Sequence, residues 1–286
     1  MSWIMYSLMM FLGSVALYLA IRKATLERVP THLVNLAAFA IPLFTTLGLA
    51  LVRQQPLGIS LVQGLVLMIV AAVFAYGGNV ASLKAIAVAP NPGYSLVLSK
   101  SYVLFTTLVS VLFLHGAIDL RKAVAILLIV GFSAVVMINR TGRAAGTGNQ
   151  WVWLSFASFF AWGLLSLSSK YLFSHGLGTI PFLVYLYALV SLCILVEARV
   201  GKKSLNQGIK VHWLILLAIG IFSTIFNLGQ FLAINAAPNI GFVNAINASS
   251  ISLVTVMSMI FFHDELTVKK SIGIAGVTAG LLLLVV

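Results

Sequence analysis

Sliding the chain along itself by 148 residues brings matching residues into register from the first apolar stretch to the last without a gap. The clearest match sets Ala89-Pro90-Asn91-Pro92-Gly93-Tyr94 against Ala237-Pro238-Asn239-Ile240-Gly241-Phe242. In the same register Trp3 meets Trp151, Ser7 meets Ser155, Arg22 meets Lys170, Phe74 meets Phe222, Asn79 meets Asn227, Thr107 meets Thr255, Ser110 meets Ser258, His115 meets His263 and Lys122 meets Lys270. Stacked apolar helices would match Leu, Val and Ala by chance. They would not match a Pro-Asn-x-Gly turn, paired Asn and paired His at one offset. The chain therefore reads as one unit written twice, residues 1–142 and 149–286, joined by a Gly-rich linker, Thr141 to Gln150.

The nature of the unit follows from its solvent. With 61% hydrophobic and 8% charged residues and a mean hydropathy of +1.12, the 286 residues are far from a soluble domain, in which about a quarter of residues are charged. A helix needs roughly 20 apolar residues to cross a hydrocarbon core of about 30 Å. Ten such stretches fit, near residues 3 to 21, 32 to 52, 58 to 83, 93 to 114, 120 to 139, 151 to 171, 180 to 198, 211 to 232, 241 to 262 and 268 to 286. They use nearly the whole chain and leave no room for a soluble catalytic domain. Five spans per copy is an odd number, so the second copy inserts upside down. The expected fold is all-α and integral to the membrane, with ten transmembrane helices as two inverted five-helix repeats, multi-pass in the cell membrane. Inverted repeats place a solute pathway between the halves.

Several features have modest readings. The single Cys193 excludes an internal disulfide and lies in an apolar span, as a small packing residue. The first apolar stretch has no basic segment before it and Arg22, Lys23 and Arg28 after it, so it is expected to be a retained span and not a cleaved signal. Asn139-Arg140-Thr141 spells a glycosylation sequon that falls on an expected cytoplasmic loop.

Cytoplasmic loops retain Lys and Arg. Those after spans 1, 5, 7 and 9 carry Arg22, Lys23, Arg28, Arg140, Arg143, Arg199, Lys202, Lys203, Lys210, Lys269 and Lys270, while the opposite side carries Arg53, Arg121, Lys122 and Lys170. Eleven against four places both termini outside the cytoplasm. The net charge of +12 is then mainly a topology signal, with attraction to anionic headgroups second. No basic face or domain for nucleic acid is present.

All five acids, Glu27, Asp119, Glu197, Asp264 and Glu265, fall at loops or span ends. That disfavours exchange of protons for cationic drugs, which needs an intramembrane carboxylate. One base does lie deep. Lys100 is about eight residues into span 4, roughly 12 Å along a helix rising 1.5 Å per residue. An intramembrane Lys is a functional candidate by default, although its stem can snorkel, as expected of Lys84 near the end of span 3. Helical spacing puts residues 96, 100, 103 and 107 on one face, so Lys100 and Thr107 lie together. The counterpart, span 9, presents Asn244, Asn247 and Thr255. Ser99, Ser101, Tyr102, Ser249 and Ser250 flank these positions, and Asn79 on span 3 and Asn227 on span 8 add one amide from each half. Such a ring can hydrogen-bond a small polar solute. The competing reading is interhelical glue, which Ser, Thr and Asn supply in membranes.

Trp3, Tyr6, Trp151, Trp153 and Trp213 sit near span ends, where aromatic anchoring is expected. Trp162 and Tyr18 lie deeper, and Trp162 is a candidate to line the solute site. His115 and His263 lie in turns at opposite faces with no Cys or carboxylate cluster, so neither metal nor cofactor is expected and capping or gating is their reading. The turn residues Pro90, Asn91, Gly93, Pro238, Asn239 and Gly241 are candidates for gating. Gly64, Gly77, Gly78, Gly131, Gly273, Gly276 and Gly280 permit close helix approach, and Gly77-Gly78 can soften span 3. A membrane-embedded enzyme would need nucleophile, base or metal ligands converging at one depth, and no span supplies them.

Ten spans in two five-span copies, with a short turn between the third and fourth span of each, resemble the EamA-like branch of the drug/metabolite transporter superfamily over the whole chain. Asp264-Glu265-Leu266-Thr267, followed by Gly273 and Gly280, resembles the family's acidic turn and Gly-marked last helix. The first copy has Gly116, Ala125 and Phe132 at the corresponding positions. The proline typical of the fourth span is missing from both copies, and termini outside the cytoplasm depart from the family's usual orientation. The resemblance implies secondary transport by alternating access through a central cavity, with amino acids, other metabolites, nucleotide-linked sugars or drugs as cargo. With Lys100 as the one deep charge, the expected cargo is a small anionic or zwitterionic metabolite such as an amino acid, Lys100 neutralising its anionic group. A desolvated Lys can also lose its proton, so protons are a candidate coupling ion. The expected assembly is a monomer or weak homodimer. The alternatives are a multidrug or organic-solute exporter of the same fold and, from another class, a non-transporting membrane assembly or sensor protein.

Overall fold

Residues 2–89, 92–138, 149–202, 206–263 and 267–285 are described by the computed structural model. Pro90, Asn91, the sequon, nearly all of the linker, Lys203 and Asp264-Glu265-Leu266 lie outside the described residues, and the side of Gly93 is likewise undescribed.

Among the described residues, ten helices are long and apolar enough to cross a membrane: Trp3–Leu26, Thr31–Val52, Leu61–Val88, Tyr94–Phe113, Leu120–Met137, Gln150–Ser174, Thr179–Val200, Ile209–Ala236, Ile240–Phe262 and Val268–Val285. We number them spans 1 to 10. Five outrun the apolar stretches in the sequence: span 1 reaches Leu26, span 3 Val88, span 6 Ser174, span 7 Val200 and span 8 Ala236. Arg22, Lys23 and Lys170 thus belong to helices and not to loops, because a backbone whose hydrogen bonds are made internally continues through a charged residue at little cost. The helix of span 8 begins earlier, at Asn206, with a kink at His212.

The 148-residue offset reappears in the backbone. Spans 2, 3 and 5 begin and end at the counterparts of the ends of spans 7, 8 and 10. Among the described residues, the six with positive φ form three pairs at the same offset: Arg28 (57°) with Gly176 (84°), Gln54 (49°) with Lys202 (49°), and His115 (52°) with His263 (56°). Such φ values are uncommon outside glycine, so three coincidences in one register are a stringent check on the alignment. His115 and His263 therefore end spans 4 and 9 in the left-handed conformation, and His263 N–H reaches the Ser258 carbonyl. Span 5 starts at Asp119, which accepts the N–H of Lys122 at 2.8 Å, and span 10 at Thr267, whose hydroxyl accepts the N–H of Lys270 at 3.3 Å.

The described chain divides into two compact units that do not coincide with the halves of the sequence. One comprises Met1–Tyr76 with Ser169–Asn235, the other Gly77–Ser168 with Ala236–Val286. Each contains corresponding spans from both copies. In the first unit Phe39 meets Tyr187, while Ala50 meets Ile180 and Val184, so spans 2 and 7 run antiparallel. In the second unit Val136 faces Gly273, Phe132 faces Gly276 and Ile129 faces Gly280, so spans 5 and 10 run antiparallel as well. A methyl group at Gly276 would fall inside the Phe132 ring, which is why small residues line this seam. Gly131, expected to serve the same purpose, has nothing within 4 Å and has no packing role.

Pro42 lies inside span 2, where a missing N–H leaves the Ala38 carbonyl without its helical partner. Ser223 of span 8 donates to that carbonyl at 2.7 Å. In a bilayer no water can fill the role, so a neighbouring helix must.

Candidate functional site

Span 4 is not one helix. An α-helix Pro92–Lys100 ends where a turn at Ser101 begins, and a second α-helix runs over Tyr102–Phe113. The hydroxyl and the N–H of Ser101 both go to the Val97 carbonyl, at 2.8 and 3.0 Å, and Leu104 N–H bonds the Ser101 carbonyl three residues back. A serine competing with the backbone in this way breaks helical register. The face drawn through residues 96, 100, 103 and 107 is accordingly interrupted, which corrects the continuous helix assumed from the spacing. Lys100 sits at the last helical position before the break, where the negative end of the helix dipole favours a cation.

The Lys100 ammonium lies 4.9 Å from the centroid of the Trp162 ring, within cation–π range. Tyr102, 3% exposed, meets the same ring edge-on with centroids 6.2 Å apart. Two glycines let the helices close around it. A methyl at Gly78 would approach Ala161 Cβ to 2.7 Å and the Trp162 indole to 3.4 Å, and one at Gly163 would approach the Phe105 ring to 2.5 Å. Asn79, half-buried, follows Gly78 directly. Two expected site residues, Lys100 and Tyr102, therefore both meet a third, Trp162, and Asn79 is next in sequence to a glycine packed on that indole.

Below Lys100 a serine ladder joins spans 4 and 6. Ser155 donates to Ser95 at 2.9 Å, Ser99 reaches the Ser155 carbonyl at 3.5 Å, and all three are fully buried. These are interhelical bonds. Asn244 is also buried and donates to Thr106 Oγ1 at 3.0 Å. Thr107 and Thr255 donate to carbonyls of their own helices, Val103 at 2.7 Å and Ile251 at 2.8 Å. Gly241 lets span 9 settle onto Thr107, and Asn239 accepts the Gly241 N–H at 2.8 Å, capping span 9. Pro238 lies just before this cap.

Asn227 belongs to the other compact unit. It donates to the carbonyl and the hydroxyl of Ser223 at 2.9 and 3.1 Å, steadying the serine that completes the Pro42 break. The structure thus gathers the Lys100 group in one unit and sets Asn227 apart. Sequence reasoning missed Thr106, Pro42 with Ser223, and Tyr76. The last lies in a π-helical stretch of span 3, Val70–Gly77, and donates to Glu197 at 3.0 Å. Glu197 lies in the last turn of span 7, at a span end as expected, and accepts this bond from span 3. The signal available was Gly77-Gly78, which marked the place where span 3 departs from α geometry.

With this geometry in place, comparison with known proteins gives the class. Residues 149–286 match the model of the EamA-like transporter family, of the drug/metabolite transporter superfamily, and the chain has the ten apolar helices of a multi-pass membrane protein. A solved crystal structure superimposes with a TM-score of 0.77 at 14% sequence identity, covering 98% of this chain and 96% of that one, which establishes a shared fold. No curated protein matches the sequence.

Proposed function

We propose that the chain is a secondary active transporter that moves a small anionic or zwitterionic metabolite, such as an amino acid, by alternating access. The observation that carries this reading is Lys100, a cation within a membrane span, at a helix break and against an indole face. A broken helix presenting charge inside the bilayer is how transporter sites bind ionic groups. The ammonium would neutralise the cargo's anionic group while Asn79, Tyr102 and Trp162 orient the rest. Antiparallel packing of span 2 with span 7 and of span 5 with span 10 supports an inverted repeat, since corresponding spans of inverted copies must run in opposite directions.

Flux tests the reading. Purified protein in proteoliposomes should move anionic or zwitterionic metabolites down an imposed gradient, and the flux should fall severely in Lys100→Ala. A folded protein that carries no member of a broad metabolite panel would favour an assembly or sensor role. The Lys and Arg imbalance of eleven to four supports both termini lying outside the cytoplasm. A reporter enzyme active only outside should work when fused after Val286 and fail when inserted between Gly201 and Gly208.

One observation favours a second reading, an exporter of organic solutes. A groove of about 440 Å³ runs between spans 3 and 7, lined mainly by Ile59, Leu65, Met68, Tyr185 and Leu189, a size usual for small-molecule sites. Transport of lipophilic compounds that Gly64→Leu blocks and Lys100→Ala spares would establish it.

A further inference from the structure

Span 9 is buried on all sides from Ile240 to Ser250, and within that stretch two amides are incompletely bonded. Asn244 is 0% and Asn247 5% exposed, and the Oδ1 atom of each has no hydrogen-bond partner. The orientation of the first amide is fixed by its neighbour. Thr106 has one hydroxyl proton, donated to the Val103 carbonyl at 3.1 Å, so its oxygen accepts from Asn244 Nδ2 at 3.0 Å and Asn244 Oδ1 is left facing elsewhere. Residues three apart on a helix are neighbours on one face. Two bare acceptors therefore stand one turn apart in the membrane interior.

Buried polar atoms without partners call for an ion or an ordered water. Both bare atoms here are acceptors, so the missing partner is positive or a donor. Their burial bars a metabolite and restricts a partner to atomic size. Neutral oxygens with no carboxylate among them suit a hard monovalent cation better than a divalent one, whose sites are built on carboxylates.

We propose that Asn244 and Asn247 supply the first two ligands of an occluded sodium site on span 9, beside Thr106 and Thr107 of span 4. In a transporter such an ion couples flux to the sodium gradient. That last clause rests on the transport reading above, while ion binding itself does not.

The test is thermal unfolding of the purified wild-type protein in sodium, potassium or choline chloride at equal ionic strength. A ligand that binds only the folded state raises its melting temperature. Sodium should raise it saturably, with potassium and choline without effect. Asn247→Leu should remove the response. Asn247→Asp, which adds a charge at the site, should lower the half-saturating sodium concentration about tenfold. Equal melting in all three salts would mean that the two oxygens bind water only and would overturn the proposal, as would a sodium response that survives in Asn244→Leu and Asn247→Leu alike. If either Leu variant fails to fold, the wild-type comparison and the Asp variant still decide. Substrate flux that is independent of sodium yet lost in Lys100→Ala would overturn this site and leave the transport reading standing.

Discussion

Spans 3 and 4 match spans 8 and 9 at an offset of 148 residues, yet they are different objects in the structure. Span 3 passes through a π-helical stretch at Val70–Gly77, whereas the corresponding part of span 8 is α-helical. Span 4 breaks at Ser101, whereas span 9 runs unbroken from Ile240 to Phe262 through the counterpart Ser249, which donates to the Ile246 carbonyl at 2.7 Å. At the break the first copy carries Lys100, and the second carries Ala248, buried at 5% exposure. Irregular backbone in a membrane survives only where protein or a water-filled cavity satisfies it. The comparison teaches that, at matched positions of the 148-residue register, spans 8 and 9 keep regular α-helix while spans 3 and 4 carry the irregular backbone and the charge.

The sharpest way to break that asymmetry is to remove its charge. Lys100→Ala makes the two copies alike at this position. Loss of a charged contact is worth about 1.5–3 kcal/mol, so flux at subsaturating substrate should fall about 10- to 100-fold. Melting temperature should change little, since an expensive intramembrane charge is being deleted. Lys100→Arg should rescue poorly, because a planar fork does not replace a compact ammonium. Undiminished flux in Lys100→Ala would remove Lys100 from the site.

The frame was legible in the sequence and the strain was not, for a physical reason. Apolar runs of span length and a shared 148-residue register are local or self-referential signals, and they located all ten helices to within a few residues. The turn at Ser101 and the π stretch depend on which neighbours satisfy the backbone, a tertiary fact. Carrying the helical wheel through Ser101 put Lys100 and Thr107 on one face and hid Thr106, the residue that Asn244 bonds. Asn227 shows the same limit: it supports Ser223 in one compact unit, whereas its counterpart Asn79 follows Gly78 in the other. A paired residue in the sequence did not mean a paired role. Lys100, Tyr102 and Trp162 could be nominated because charge and large aromatics in a span are exceptional on their own.

Glycines sharpen the comparison next. Gly241 lets span 9 lie on Thr107, where a methyl group would overlap the side chain. Gly241→Ala should therefore destabilise by about 1–3 kcal/mol through overpacking. Gly131 faces open space, and its counterpart is Ala279. Gly131→Ala makes the copies alike and should stabilise span 5 by up to about 1 kcal/mol, the helix propensity difference. Opposite signs in paired thermal melts are the expected result, and equal signs would show that these glycines are not distinguished by packing.

Pro42 and Ser223 form a pair that the other copy lacks, since their counterparts are Val190 and Ala75. Ser223→Ala strands the Ala38 carbonyl in the membrane and should cost about 1–3 kcal/mol. Pro42→Val restores the N–H that the carbonyl would otherwise bond, so the double variant Pro42→Val, Ser223→Ala should recover most of the loss. A double-mutant cycle with a coupling energy of about 1 kcal/mol is expected. Strict additivity would mean that the serine serves something other than the proline.

The smallest effect separates the starts of spans 5 and 10. Asp119 and Thr267 occupy the same place in the two copies, but only one can be charged. The Lys122 N–H and then its ammonium, 3.0 Å from Oδ2, hold the Asp119 carboxyl below its ordinary value of 3.8. A depressed carboxyl contributes stability that is present above the unfolded value and lost as pH falls through the folded value. Asp119→Asn keeps a cap but deletes the charge at the helix N-terminus. Wild type should therefore melt slightly above Asp119→Asn at pH 7, the gap should hold down to about pH 4, and it should close on further acidification. Thr267→Ala should lower the melting temperature by an amount that does not change over the same range, because a hydroxyl does not titrate there. The carboxylate is fully exposed, so the gap at Asp119 should also shrink in high salt. If it persists unchanged at pH 3, the two copies start these helices by the same uncharged means and the charge at Asp119 is incidental.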